Sequence, residues 1–475
     1  MASSGWGRRR TRVVVVAALG VLVQTAASVA AAVTAESQGG APAITRSMPD
    51  GIYVGDTRAD DDLISYRLQV TIAGHEIAAA DFRELWDGFP FTPGGDAYNK
   101  QWLVDPVRRP AYLANEPRFV EQAAAAQAYD SRLVGLTDPD QIPAPTSNIT
   151  VYDALLEAWT NLARTRLKIV QHVNEVVGDN GNAPHTWNEY LPLAVQERPR
   201  HRVPLVLVLH GLTNSIVQAE GLGFPFLGAE EDFITLIPDD SNNGNTYGPD
   251  GGWNVTPSPG STQLSDVDFL LALIRHEERS HAIDPTRIYL TGISNGAAMS
   301  SYLAMLHPHV FAGVAALAGC IGSTGGSYNE TFVSQVNALL AQDPSPGLPV
   351  ITGAGDEDQF TWLSPLRNQG PYSTAGPGYR TQISWWKAYN GIPQVRWDPQ
   401  LPWGQPLEDN ATISRYGYLI DTGELSGWRG LPLLSLYTVR QMFHLDPNPY
   451  ADVLSWNFLS RFRRLPDGNI IEMPR

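Results

Sequence analysis

Cysteine is almost missing from this chain: Cys320 is the single one among 475 residues. An intramolecular disulfide is excluded, so the fold has to be held by its core alone. Cys320 follows the apolar run Val314-Ala-Ala-Leu-Ala-Gly and reads as a small buried hydrophobe rather than a nucleophile. Basic residues are scarce as well, 33 Lys and Arg against 49 Asp and Glu, for a net charge of -16 and a pI near 5.0. That balance argues against nucleic acid, whose binding rests on neutralising phosphates with Lys and Arg. Charged residues make up 17% and hydrophobic ones 43%, the composition of a folded protein rather than a disordered one. Among the ten histidines no His-x-x-x-His pair occurs, and His307 and His309 flank Pro308, so no metal is expected. The glycine-rich stretch from Gly244 to Gly252 lacks the lysine of a phosphate loop, and no cofactor is expected. There is no internal repeat, and low complexity is confined to Thr34–Thr45.

Long apolar runs are lacking too, except at the N-terminus. There Arg8-Arg9-Arg10-Thr11-Arg12 precedes an apolar run from Val13 to Val23 and small residues through Ala32. Basic, then apolar, then small with an Ala-x-Ala site is the layout of a secretory signal over residues 1–32, cleaved near Ala30 or Ala32. An uncleaved anchor over Val13–Val33 is the alternative, weakened by Gln24, Thr25 and Ser28. After cleavage no stable membrane anchor is expected, and the location is extracellular.

What remains suits two domains. Residues 48–166 read as a smaller N-terminal α+β domain. Tyr66–Ile72 alternates apolar and polar like a half-wet strand, Gly74-His-Glu is a turn, and Ile77–Phe82 returns. Helices are expected over Arg118–Arg132 and Thr150–Val170. Residues 167–184 read as a linker, with the turn-rich Val177-Gly-Asp-Asn-Gly-Asn-Ala-Pro at its end. From 185 to 464 strands and helices alternate, which predicts an α/β domain with a mostly parallel sheet. Its strands are Pro204–His210, Phe233–Pro238, Arg287–Thr291, Gly313–Leu317 and Leu348–Gly353. Its clearest helices start at Ser265 and at Ala451. The continuous apolar run Pro204-Leu-Val-Leu-Val-Leu is what a strand buried on both faces requires.

Chemistry concentrates at Arg287-Ile-Tyr-Leu-Thr-Gly292-Ile-Ser294-Asn-Gly296-Ala-Ala-Met. A strand, a Gly-x-Ser-x-Gly corner and a helix force the Ser294 hydroxyl outward at a helix N-terminus. A serine needs a base to take its proton, and the base needs a carboxylate to orient it. In chain order Ser, acid, His, one histidine lies beyond His309, namely His444. The acid follows the strand ending at Gly353, and Asp356 and Asp358 both qualify, Asp358 being favoured because the loop must turn after Gly355. Oxyanion donors are expected from the N–H of Asn295 and from the loop after the first buried strand, at Leu212 or else Thr213. His210 is expected to hydrogen-bond within that loop rather than transfer protons.

With these residues placed, the second region resembles the secreted polyhydroxybutyrate-depolymerase and feruloyl-esterase group of α/β-hydrolases. The matching pieces are His185-Thr-Trp-Asn-Glu-Tyr-Leu-Pro, Pro204–Gly211, Gly252-Trp253-Asn254, Asp266-Val-Asp-Phe-Leu and Ile283–Met299. The resemblance implies an α/β-hydrolase fold, a serine carboxylic-ester hydrolase without cofactor, and a polyester, feruloyl or acetyl ester as substrate, polymeric or not. It places the acid at Asp358 in Ala354-Gly-Asp-Glu-Asp358 and makes Trp253 a candidate substrate-binding residue. The segment from Gln359 to Arg440, with Trp385-Trp386, Trp397, Trp403 and Trp428, exceeds the expected spacing between acid and histidine. Packing or a lid over the substrate are its two readings. The N-terminal region bears a fainter resemblance to a small FMN-binding domain, through Asp50-Gly-Ile-Tyr53 and Leu68–Ile77. The flavin-bearing motif of that domain, Ser-Gly-Ala-Thr, is here Ser147-Asn-Ile-Thr150 without its glycine, which implies the shape without the ligand. A non-catalytic exported binding protein on a retired hydrolase scaffold is the competing function class. Oligomeric state is not legible in the chain.

Overall fold

The computed structural model describes residues 48–57, 64–86, 89–90, 109–137, 141–142, 148–177, 184–212, 215–240, 252–253, 266–320, 338, 347–355, 358, 378–394, 410–413, 419–440, 444 and 451–474. The expected signal at 1–32 lies outside them. None of the described helices is long and apolar enough to cross a membrane.

Fourteen strands join in one sheet. They are β1 (Gly51–Asp56), β2 (Ile64–Ala73), β3 (Glu76–Trp86), β4 (Phe89–Pro90), β5 (Leu167–Val176), β6 (Pro184–Leu191), β7 (Val203–Leu209), β8 (Ile234–Pro238), β9 (Ile283–Ile293), β10 (Gly313–Leu317), β11 (Val350–Gly355), β12 (Asn410–Ile413), β13 (Leu419–Ser426) and β14 (Pro432–Val439). Their spatial order is β12-β13-β14-β11-β10-β9-β7-β8-β6-β5-β1-β2-β3-β4. The block from β14 to β8 is parallel throughout, and every pairing outside it is antiparallel. Counted from β5 to β14, skipping the two edge strands β12 and β13, the order is 1-2-4-3-5-6-7-8 with the second strand reversed, the sheet of an α/β-hydrolase. Every residue of β7, β8 and β10 is buried, as parallel strands covered on both faces demand. The covering helices used below are α1 (Arg109–Gln127), α2 (Ile149–Thr165), α3 (Ile216–Gly221), α4 (Phe224–Glu231), α5 (Asp266–Ser280), α6 (Asn295–Leu306), α7 (Gly378–Tyr389) and α8 (Ala451–Leu459).

Two expectations change here. Residues 167–176, read as linker, form β5, and the helix expected to reach Val170 stops at Thr165. Arg166 takes a left-handed φ of 45° and its N–H bonds to the Leu162 carbonyl, closing α2 without the glycine that usually signals such a stop. The second change concerns the N-terminal region, whose strands continue the hydrolase sheet, with Ile52, Tyr53 and Val54 opposite Ile169, Lys168 and Leu167. Alternation along β1 sends Tyr53 into a core with Leu68, Leu155 and Trp159, under α1 and α2, while Val54 joins Leu167, Tyr190 and Val206 on the other side. Gly55 permits this contact: a Cβ there would lie 2.4 Å from the Ala158 carbonyl oxygen. The hairpin between β2 and β3 turns through Gly74 and His75 at φ 61° and 70°, the two left-handed positions of the hairpin turn whose twist suits antiparallel strands. Of the flavin-like motif, Ser147 lies outside the described residues, and Asn148 caps α2 through a bond from the Val151 N–H.

Candidate active site

β9 delivers the chain to Ser294 at the C-terminal edge of the parallel block, and α6 begins at the next residue. Ser294 has φ 55° and ψ -113°, a conformation that costs a non-glycine residue free energy and that persists because its surroundings fix it. Its N–H donates to the Leu317 carbonyl at 2.9 Å. The two glycines of the corner are required by contact. A Cβ on Gly296 would lie 2.3 Å from the Leu209 carbonyl oxygen and 2.4 Å from that of His210; on Gly292 it would lie 2.6 Å from the backbone of Gly296. Strand β7 therefore packs directly against the start of α6, which brings its following loop to the serine.

Three side chains remote in sequence meet there. The Ser294 hydroxyl donates to His444 Nε2 at 2.8 Å. His444 Nδ1 faces both Asp358 carboxylate oxygens, at 2.8 and 3.0 Å. A carboxylate only accepts, so Nδ1 carries the proton and Nε2 presents its lone pair to the serine. Asp358 is fully buried, and Ser294 and His444 are nearly so. The other acid considered, Asp356, lies outside the described residues, as does Thr213. Tyr437 lies beside the acid; burial first, and then the Asp358 charge, raise its hydroxyl above the ordinary range, so it stays protonated.

Around the serine the loop after β7 is held by side chains. His210 is completely buried: Nδ1 donates to the Gly211 carbonyl at 2.8 Å, and Nε2 accepts from the Asp240 N–H at 3.2 Å. That bonding spends one ring nitrogen on the loop after β7 and the other on the segment after β8, where the Asp239 carboxylate also lies 3.2 Å from Nε2. The Gly211 N–H donates to the Gln218 amide oxygen, so it is occupied, and Leu212 is the next residue along the loop. Asn295 opens α6, where the first backbone N–H groups point out of the helix end. Its side-chain oxygen accepts from the Trp253 N–H at 2.6 Å.

Trp253, the candidate substrate-binding residue, packs into this loop. It is 2% exposed, its indole N–H donates to the His210 carbonyl at 2.9 Å, and its ring lies 4.9 Å from the His210 ring. The residue ties the loop after β7 to the start of α6, a positioning task that uses up its one side-chain donor. The tryptophan-rich segment is likewise partly accounted for by packing: Trp386 is fully buried on α7 and Trp385 stacks on Tyr389 at 5.2 Å. Trp428, 44% exposed, donates to the Tyr389 carbonyl at 3.1 Å. Trp397 and Trp403 lie outside the described residues.

Three residues that no motif nominated connect the N-terminal strands to this loop. Arg67 on β2 forms a two-bond clamp on Asp56 at 2.9 and 3.1 Å and reaches Glu220 on α3 at 2.9 Å. Glu220 also accepts from the Tyr190 hydroxyl, and it sits two residues from Gln218, which holds Gly211. Burial works against the Arg67 charge, but Asp56 and Glu220 outweigh it and raise the guanidinium above its ordinary range. Removing one member of such a buried set strands the others, at a cost of about 3–5 kcal/mol. Arg67→Met is therefore expected to lower stability by about that amount in urea unfolding, and to depress kcat more than it raises KM. An unchanged unfolding midpoint would contradict the linkage.

One further cluster of metal-capable side chains lies away from the serine. Ligand atoms of Glu189 on β6 and of His276 and Glu277 on α5 lie within 4.8 Å of one another. The search for a histidine pair along one helix could not find a group drawn from a strand and a helix nearly ninety residues apart.

Comparison with known proteins completes the description. Residues 187–345 match the family model described as Esterase PHB depolymerase. The chain is 33% identical over 246 residues to a poly(3-hydroxyalkanoate) depolymerase C of Paucimonas lemoignei, covering 51% of this chain and 55% of that protein. It is 27% identical over 178 residues to a feruloyl esterase B of Talaromyces stipitatus, covering 36% of this chain and 47% of that one. The chain thus spans about half the length of these curated relatives. Among solved structures, an acetyl xylan esterase from Aspergillus awamori aligns with 62% of this chain and 99% of its own, at 15% identity and a TM-score of 0.42.

Proposed function

We propose, from the match of residues 187–345 to the esterase PHB depolymerase family model, that this protein is an exported serine carboxylic-ester hydrolase working through an acyl-enzyme. The observation that carries the reading is the continuous hydrogen-bonded run from Asp358 through His444 to Ser294. Ser294 Oγ attacks the ester carbon as His444 Nε2 takes its proton. Asp358 holds the ring in the tautomer that presents Nε2 and stabilises the imidazolium that forms. The charge developing on the carbonyl oxygen is met by the N–H groups of Asn295 and Leu212. His444 then protonates the leaving alkoxide. In the second half, it deprotonates a water that attacks the acyl-enzyme, and collapse returns Ser294 and a free acid.

The N-terminal region, residues 48–166, serves in this reading as a layer added to the edge of the catalytic region, 185–464, rather than as a flavin carrier. The substrate class is a polyhydroxyalkanoate-type polyester or a feruloyl or acetyl ester, after the relatives named above. The deciding experiment measures product release from hydroxybutyrate oligomers, feruloylated sugars and short-chain p-nitrophenyl esters by the protein recovered from culture medium. Turnover of at least one class supports the reading. Inertness toward all of them, with folded protein, would overturn it in favour of a non-catalytic exported binder.

A further inference from the structure

A second cluster of chemically capable side chains lies where β5 and β6 pack against α5. Glu189, Trp187 and His185 alternate along one face of β6. Trp187 stacks on His172 of β5 at 4.2 Å and meets the His276 ring edge-on at 5.9 Å; His185 stacks on Phe269. Into this aromatic wall α5 directs Glu277, which is 0% exposed and whose two carboxylate oxygens both lack a hydrogen-bond partner of standard geometry. Beside it stands a second buried carboxylate, Glu189, with one oxygen 2.9 Å from His281 Nε2 and the other 2.7 Å from His172 Nε2. His281 Nε2 lies 3.7 Å from Glu277, too long for a hydrogen bond.

We infer that Glu189, His276, Glu277 and His281 form a structural site for a divalent transition-metal ion of the zinc type. Four observations converge on it. First, ligand atoms bound to Zn²⁺ at about 2.0–2.1 Å in a tetrahedron stand roughly 3.3 Å from one another. The 2.9 and 3.7 Å separations around His281 bracket that spacing, and the Glu189–His276–Glu277 atoms are close enough to contract onto one ion. Second, two buried carboxylates side by side, Glu277 facing only Glu189 and the more distant His281, are an arrangement that a dication neutralises. Arg279 acts on His276 only at long range, and Glu175 adds further negative charge beside His172. Third, two imidazoles with two carboxylates select Zn²⁺, Co²⁺ or Ni²⁺ over Ca²⁺ or Mg²⁺, which prefer oxygen alone. Fourth, Glu189 is already oriented from behind: His172 bonds its second oxygen, and Glu175 lies 3.1 Å from the far nitrogen of His172. Outer partners of this kind fix ligands in metal sites.

Four protein ligands, the two carboxylates buried and the two imidazoles partly so, would fill a tetrahedron, so the ion is structural rather than catalytic. It would staple the β5–β6 hairpin, through which the N-terminal strands join the sheet, to the helix that precedes the nucleophile strand. This inference is independent of the ester reading, and its deciding readouts are metal content, affinity and spectrum.

The test uses untagged full-length protein, stripped with a chelator and titrated with ZnCl₂ alone. One Zn²⁺ per chain by elemental analysis is expected, with a Kd at or below micromolar by calorimetry and a Tm that rises with free zinc. Glu277→Gln is expected to weaken binding at least 100-fold while leaving ester turnover within about twofold. Should that variant fail to fold, Co²⁺ loaded into the wild-type protein supplies the readout, through the intense visible bands of a tetrahedral nitrogen–oxygen site. Substoichiometric zinc after repletion, or an octahedral cobalt spectrum, would overturn the inference and leave a proton-sharing carboxyl pair. So would zinc binding that Glu277→Gln leaves unchanged.

Discussion

Ser294→Ala is expected to remove ester turnover almost completely, lowering kcat by about five to six orders of magnitude on p-nitrophenyl butyrate. The loss is that of a bond-forming atom. Without Oγ, His444 Nε2 has no proton to accept and no acyl-enzyme can form. The variant should stay folded, because the Ser294 N–H bond to Leu317 and the packing of Gly292 and Gly296 on β7 are backbone contacts that alanine keeps. Stability close to that of the parent, alongside lost turnover, separates a chemical role from a structural one. Activity within tenfold of the parent would contradict the role given to Ser294.

Asp358→Asn is the second large effect. The carboxylate receives the Nδ1 proton of His444 on both oxygens and is fully buried. An amide presents N–H where a lone pair stood, which favours the wrong imidazole tautomer and leaves Nε2 protonated toward the serine. A fall of about 10⁴ in kcat is expected, equivalent to roughly 5.4 kcal/mol of transition-state stabilisation. Asp356→Asn is expected to stay within a few-fold of the parent, which makes the pair a direct comparison of the two acids. Equal losses in both variants, or a larger one at Asp356, would reassign the acid. Both kcat and KM are needed, since the Asp358 change should leave KM little altered.

Much of the architecture was legible because its signals are local. β7 and β10 are continuous apolar runs bounded by turn residues, and a buried parallel strand has no other way to read. The corner at Ser294 combines a strand, two glycines and a helix within a dozen residues. His444 and its acid are far apart in sequence, yet the chain order demanded by the fold reduces the choice to a few positions. What escaped is what depends on pairing across the sheet. β5 carries an apolar start and a polar end, and only its bonds to β1 and β6 make it a strand. The end of α2 escaped because Arg166 takes the left-handed cap that sequence readers associate with glycine. The family resemblance made Trp253 a candidate substrate contact, and its packing role was not legible beside that. Its indole N–H answers the His210 carbonyl, and no local pattern encodes that. Arg67 and Glu220 were invisible for the same reason, since a buried ion cluster between a hairpin and a helix 153 residues away has no periodicity.

The acyl-enzyme chemistry is tested most directly by mass-mapping a fluorophosphonate adduct on the intact protein. A serine reacts quickly with that reagent only when a base activates it. One adduct per chain is predicted, on the peptide that contains Ser294, forming within minutes in the parent and at least a thousandfold more slowly in His444→Ala. No adduct on the folded parent, an adduct on another residue, or labelling of Ser294 at the same rate without His444 would contradict it.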